Sequence, residues 1–257
     1  MATASRTSDD SPYTAFPQPD DLNAAIWRYL DFAKFAWMMF EGRLFMPRCE
    51  VLAKTDPFEG STPIHRIRQW EQLARDANCE ADRALIKLNL EAITGHVTHF
   101  RQGDFISCWH MSQHESDAMW RIYGTGNNSV AIRSTYAKLK QGIPSFACVG
   151  CVRYIDYEKE HFPDNNLLHH IMHKRLAFKH ENEIRAVVPA PAYYDGVAAN
   201  SDSIGYFPTV NLTQLIEQIY VHALADEWFL NVVKAVVNKS GHDIPVVRSC
   251  LAAQPVF

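Results

Sequence analysis

Short β-branched or aromatic runs alternate along this chain with longer stretches of helical spacing. Ile26-Trp27-Arg28-Tyr29-Leu30 reads as a first strand. Asp31 can cap the helix that follows, which puts Phe32, Phe35, Ala36 and Met39 on one face and stops at Gly42. Leu44-Phe45-Met46 predicts a short second strand. Asp56-Pro57-Phe58-Glu59-Gly60 is turn chemistry, because Pro fixes φ and Gly releases the chain. Residues 64–99, rich in Ala, Leu, Glu, Arg and Gln, predict two helices packed beside a sheet. Strands are expected at 105–109 and 129–133. Between them a short helix at 116–123 is stopped by Gly124 and Gly126, and Ser134 can cap another helix through Lys140.

Further on, residues 147–157 alternate well enough for one long strand, and 165–178 read as a helix leading into a strand over 181–188. Strands near 204–210 and 217–222, a helix over 226–239 and a strand at 245–248 complete the prediction. The elements lack a regular βαβ rhythm, a G-x-G-x-x-G turn or a P-loop. The expected fold is therefore α+β: a single domain with a mixed, mostly antiparallel sheet and flanking helices. Residues 1–20 are expected to form a flexible lead, with the domain spanning 21–257.

Composition changes this picture little. The chain has 257 residues, 47% hydrophobic and 21% charged, enough for one sizeable core. A net charge of −4 with scattered Lys and Arg gives no basic footprint for nucleic acid and suits a small-molecule or protein substrate. No apolar signal leads the chain, and no run approaches the roughly 20 apolar residues of a membrane helix. The six cysteines are accordingly expected to be reduced thiols of a soluble, cytoplasmic protein.

The most informative run is Lys179-His180-Glu181-Asn182-Glu183-Ile184-Arg185-Ala186-Val187-Val188. On a strand, Glu181, Glu183 and Arg185 share one side, while Ile184, Ala186 and Val188 face a core. Two fixed acids can stabilise an oxocarbenium-like sugar cation and take an acceptor's proton. The same spacing also permits a solvent-facing Glu–Arg ladder of little energetic weight. Ser107-Cys108-Trp109 precedes Met119-Trp120 and Tyr123. Trp120 and Tyr123, at i and i+3, can sandwich a flat ring or simply pack a core. Arg28, among apolar neighbours, wants an anion: a pyrophosphate, or a partner such as Glu59 or Glu183. Cys148-Val149-Gly150-Cys151 with His169 and His173 has the ligand types for zinc. However, an alternating strand sends the two sulfurs to opposite faces, so no metal is expected.

These blocks together resemble a large bacterial domain family of unknown function. The likeness rests on Trp27-Arg28-Tyr29, Asp56-Pro57-Phe58-Glu59, Ser107-Cys108-Trp109 with Met119-Trp120-Arg121-Ile122-Tyr123-Gly124, and Lys174 through Arg185. It spans about residues 26–250, and Ile219-Tyr220-Val221-His222 also fits. More remotely, the order of an arginine strand, a serine strand, an aromatic helix and a Glu-x-Glu strand is similar to the ADP-ribosyltransferase superfamily. That resemblance implies NAD as substrate, with Arg28 gripping the diphosphate, Ser107 supporting the nicotinamide ribose, and Tyr123 or Trp120 stacking. It implies Glu183 as the residue that holds the 2′-hydroxyl and stabilises the oxocarbenium ion, and Glu181 as the residue that orients a macromolecular acceptor. The superfamily's Ser-Thr-Ser pattern is replaced here by Ser107-Cys108-Trp109. The alternatives are a non-catalytic nucleotide-binding or sensing module and a metal-dependent hydrolase built on the cysteines and histidines.

Overall fold

A computed structural model describes residues 15–124, 126–163, 166, 168–189, 202 and 204–253. Strand β1 (Ala25–Asp31) ends at Asp31, whose Oδ1 accepts the Lys34 N–H at 2.9 Å and so caps helix α1 (Phe32–Glu41). The helix stops at Gly42, at φ 62°, where a side chain would be strained. The chain continues through β2 (Met46–Pro47), α2 (Cys49–Leu52), α3 (Ile64–Asp76), α4 (Glu80–Gly103) and β3 (Phe105–Met111). Next come α5 (Asp117–Tyr123), β4 (Ser129–Thr135), α6 (Tyr136–Gly142), β5 (Cys148–Cys151) and β6 (Arg153–Ile155). The last described part holds α7 (His169–Met172), β7 (His173–Arg175), β8 (Glu183–Val188), β9 (Gly205–Tyr206), α8 (Leu212–Leu215), β10 (Gln218–Val221), α9 (Glu227–Lys239) and β11 (Val246–Arg248).

Seven strands form one sheet in the order β11-β10-β4-β1-β3-β8-β5, antiparallel except for the β10–β11 pair. This is the α+β domain that the residue pattern predicts. One face carries Ile26, Leu30, Trp109, Ile132, Ile184 and Val188 into the main core, under Phe35 and Met39 of α1 and Phe229 and Val233 of α9. The other face is covered too. Ile106 and Val187 pack on Phe16, Cys49, Ile171 and Met172, while Trp27 and Tyr29 pack on Met119 and Trp120. Strand β8 is consequently buried at every position, charged residues included.

Several boundaries differ from expectation. The predicted long strand over 147–157 breaks at Val152: β5 joins the main sheet, while β6 pairs in parallel with β7. The predicted helix over 165–178, whose first residue lies outside the described residues, shrinks to the four residues of α7. It gives way to β7 and a 3₁₀ turn, Leu176–Glu181. The strand expected near 204–210 is only Gly205–Tyr206. Thr135, not Ser134, caps α6, because β4 runs two residues longer than predicted. Of the expected lead, residues 1–14 lie outside the described residues. Ala15 and Phe16 are buried, and Pro17 O accepts from Cys151 N at 2.7 Å.

Glu181 is not on the strand. Asn182 separates it from β8 in the left-handed region, at φ 39°, and donates its side-chain amide to Met111 O at 2.6 Å. Asparagine tolerates this conformation and a β-branched residue does not. Asn182→Val is expected to cost about 1–2 kcal/mol in chemical denaturation, more than Asn182→Gly does.

The sheet has one weak joint. β1 pairs with β4 along its whole length, from Ala25↔Thr135 to Asp31↔Ser129, and β3 pairs with β8 over six positions. Between β1 and β3, however, the register holds only at Ile26↔Met111 and Trp27↔His110. Beyond Trp27 the two strands diverge.

Candidate functional site

The divergence opens a cavity of about 220 Å³. Consecutive residues of both strands line it, Trp27 to Leu30 and Cys108 to His110, so it lies between strand edges rather than over one face. Tyr123, Glu181 and Glu183 complete one wall, and Met119 and Phe45 add apolar surface. Arg28, Tyr123, Glu181 and Glu183 therefore meet at one cavity, although they come from four separate segments.

Arg28 reaches across the gap from β1. Its Nη1 donates to Ser107 Oγ at 2.9 Å and its Nη2 to Phe45 O at 2.7 Å. Neither Glu59 nor Glu183 is its partner, contrary to that expectation: both acids are held by Arg185. Arg28 makes no carboxylate contact among the described residues, and burial lowers it to about 10. Ser107 is fully buried, also accepts from Trp109 Nε1 at 3.0 Å, and lies outside the cavity lining.

Trp120 lies outside it as well. Trp120 is buried edge-on against Tyr29 at 5.1 Å and borders a separate open cleft with Arg121 and Leu224. Helix α5 divides the pair: Tyr123, one turn later, turns to the cavity and donates its hydroxyl to Glu181 Oε1 at 2.7 Å.

The acids form the centre of a buried ionic cluster. Glu181, Glu183 and Arg185 are 3%, 5% and 0% exposed, which removes the solvent-facing ladder. Arg185 grips Glu59 with two nitrogens, at 2.6 and 2.9 Å, and places Nε 2.6 Å from Glu183 Oε2. Its Nη1 also donates to Ile171 O at 2.6 Å. Lys174 Nζ lies 2.9 Å from Glu183 Oε1 and contacts Glu181 Oε2, with Glu59 at 3.8 Å. Tyr154 Oη accepts the Glu183 N–H at 2.9 Å, and Glu181 O is 2.6 Å from His110 Nδ1. Asp56, three residues before Glu59, binds Arg175 at 2.5 Å and fixes the turn that delivers Glu59.

Three carboxylates thus face two cations, and the excess negative charge has a clear seat. Burial, together with the adjacent Glu183, raises the Glu181 carboxyl from 4.5 to about 7. Burial also opposes charge on Glu183, but Arg185 and Lys174 outweigh it and hold that group well below the usual carboxylate range. One acid stays ionised while its neighbour exchanges a proton near neutrality, a division suited to acid–base work. Burial and the Glu183 charge push the Cys108 thiol up, so it remains protonated and a poor nucleophile.

A pH signature follows. The folded state binds a proton on Glu181 more tightly than the unfolded chain does. Its contribution to stability is complete below about 4.5 and is lost as pH rises through about 7. Thermal melts between those values should fall with rising pH, and Glu181→Gln should flatten that part of the profile. A slope that survives the substitution would assign the proton to another group.

Spacing along the chain does not mark Lys174, Glu59, Tyr154 or His110 as site residues. Glu59 and Lys174 do fall inside the blocks that carry the family resemblance, which was the available signal. Cys148 and Cys151 pack on opposite sides of β5, in different apolar clusters. Among the described residues no group of three His, Cys, Asp or Glu side chains is placed to hold a metal, and no helix is long and apolar enough to cross a membrane. A scan of protein-family models and a search of curated proteins both find no match to this chain.

Proposed function

We propose that this protein is a cytoplasmic, NAD-consuming enzyme of the ADP-ribosyltransferase type, acting on a protein or nucleic-acid acceptor. The observation that carries the reading is the meeting of Arg28, which makes no carboxylate contact among the described residues, with the Glu181–Glu183 pair and Tyr123 around one cavity. A guanidinium without a counter-ion favours a bound phosphate, and a fixed carboxylate favours a developing sugar cation. At about 220 Å³ the cavity falls below the roughly 300–1,000 Å³ of typical ligand sites. It suits one end of a dinucleotide rather than the whole. The same grouping favours kinship with the ADP-ribosyltransferase superfamily.

In this mechanism Arg28 holds the phosphate and Tyr123 lies against the ring. The bond between the ribose anomeric carbon and the nicotinamide nitrogen breaks, and its electron pair leaves with nicotinamide. Ionised Glu183 stabilises the resulting oxocarbenium ion. As the acceptor's nucleophile bonds to that carbon, Glu181, with its raised proton affinity, takes the released proton. A second reading, a nucleotide sensor without turnover, is favoured by one observation: both Glu183 oxygens are already engaged, one by Arg185 and one by Lys174.

Nicotinamide release and transfer of labelled ADP-ribose, measured beside calorimetric NAD binding, separate the two. The enzyme reading expects turnover that Glu183→Gln removes and binding that Arg28→Ala weakens. Binding without any turnover selects the sensor.

A further inference from the structure

Helix α4 is apolar on two opposite sides. Arg83, Ile86, Leu90, Ile93 and Val97, spaced 3-4-3-4, form its half-buried side, and Ile86 and Leu90 border a cleft shared with Trp70 and Ala74 of α3. Diametrically opposite run Ala81, Leu85, Leu88, Ala92, Gly95 and His99, all exposed, with Leu85 at 57% and Leu88 at 61%. Their spacing is 4-3-4-3-4, the seam of a coiled coil, and no formal charge from Asp, Glu, Lys or Arg interrupts it. A surface helix ordinarily has one apolar stripe; a second stripe at the heptad period marks a second helix as its neighbour.

We propose that this seam pairs with the same seam of a second copy, antiparallel, about a two-fold axis. The order of residue sizes supports self-pairing. With Leu88 set opposite Ala92 of the mate, Leu85 falls opposite Gly95 and Ala81 opposite His99. Each leucine then meets a small residue, and a Cβ built on Gly95 has nothing within 4 Å, which leaves room for the incoming leucine. Charge disfavours the parallel alternative, which stacks the two acidic first turns, Glu80 and Asp82, on each other; antiparallel pairing sets them at opposite ends of the seam. An antiparallel pair is isologous and closes on itself. The seam over 81–99 is about 27 Å long at a rise of about 1.5 Å per residue. Glu91, flanking the axis, meets its own counterpart, so its charge weakens the pair.

Sedimentation velocity on the full chain across the micromolar range tests the proposal, with circular dichroism as the fold control. Wild type is expected to be a dimer. Leu88→Glu, at an exposed position, should raise the dissociation constant by roughly 100-fold without changing helicity. Glu91→Gln should tighten the pair a few-fold. With the exposed thiols removed by Cys79→Ser and Cys250→Ser, Leu85→Cys chains should form disulfides with Gly95→Cys chains and not with each other. A monomeric wild type, a dimer indifferent to Leu88→Glu, or cross-linking of Leu85→Cys chains to themselves overturns it.

Discussion

Arg185→Ala is expected to destabilise the protein by about 3–5 kcal/mol, the usual cost of stripping one partner from a buried ion pair. Here one side chain serves three acceptors. Its loss leaves Glu59 and Glu183, 3% and 5% exposed, with Lys174 as their shared cation and the Ile171 carbonyl without its donor. For a chain of this size each kcal/mol moves the melting temperature by roughly 2–4 °C, so a fall of roughly 6–20 °C should appear in calorimetry. Arg185→Lys should recover only part of it, because an ammonium cannot reproduce the two-pronged contact with Glu59. Replacing Glu59, Glu183 and Arg185 together by apolar residues of similar volume should cost much less than the single change. A loss under about 1 kcal/mol for Arg185→Ala would mean that the cluster opens to water and relaxes.

The second large effect concerns chemistry. If the proposed transfer reaction occurs, Glu183→Gln should reduce nicotinamide release by about 10²–10³-fold, the scale seen when one transition-state contact is removed. The amide keeps the shape of the carboxylate but supplies no negative charge to an oxocarbenium ion. Glu183→Gln also removes a buried charge from a cluster with one negative charge in excess, so folding should suffer less than activity does. Comparable melting curves with lost turnover identify a chemical role; a collapse of both identifies a structural one. Glu181→Gln should act differently, lowering the rate most above pH 7, where wild-type Glu181 is ionised and able to accept a proton.

Much of this was legible along the chain because local rules dominated. Asp31 and Gly42 bound α1, Gly124 stops α5, and the alternation of Ile184, Ala186 and Val188 faces the core. The errors arose where tertiary contacts overrode spacing. β5 and β6 read as one alternating strand, yet Val152 N still donates to Glu183 O at 2.9 Å in register with β8, and only after it does the chain leave the sheet to pair Arg153–Ile155 with β7. Strand spacing puts the acid pair on one strand face, whereas the positive φ of Asn182 places Glu181 off the strand while keeping it beside Glu183. The cluster's charge balance was not legible either. It depends on Glu59, 126 positions from Arg185, and on Lys174, which follows a helix that the pattern overextended.

The two-rung joint between β1 and β3 has a mechanical meaning. Ordinarily a continuous ladder makes a sheet stiff across its strands. Here the four strands from β11 to β1 and the three from β3 to β5 are each fully laced, but they are stitched to one another at one end only. Arg28, bonded to Ser107 on the far side, is a side-chain clasp across the part of the joint that lacks ladder bonds. Any anion that draws the guanidinium away from that hydroxyl also unfastens the clasp. An occupant of the gap and the Ser107 hydroxyl therefore compete for one guanidinium.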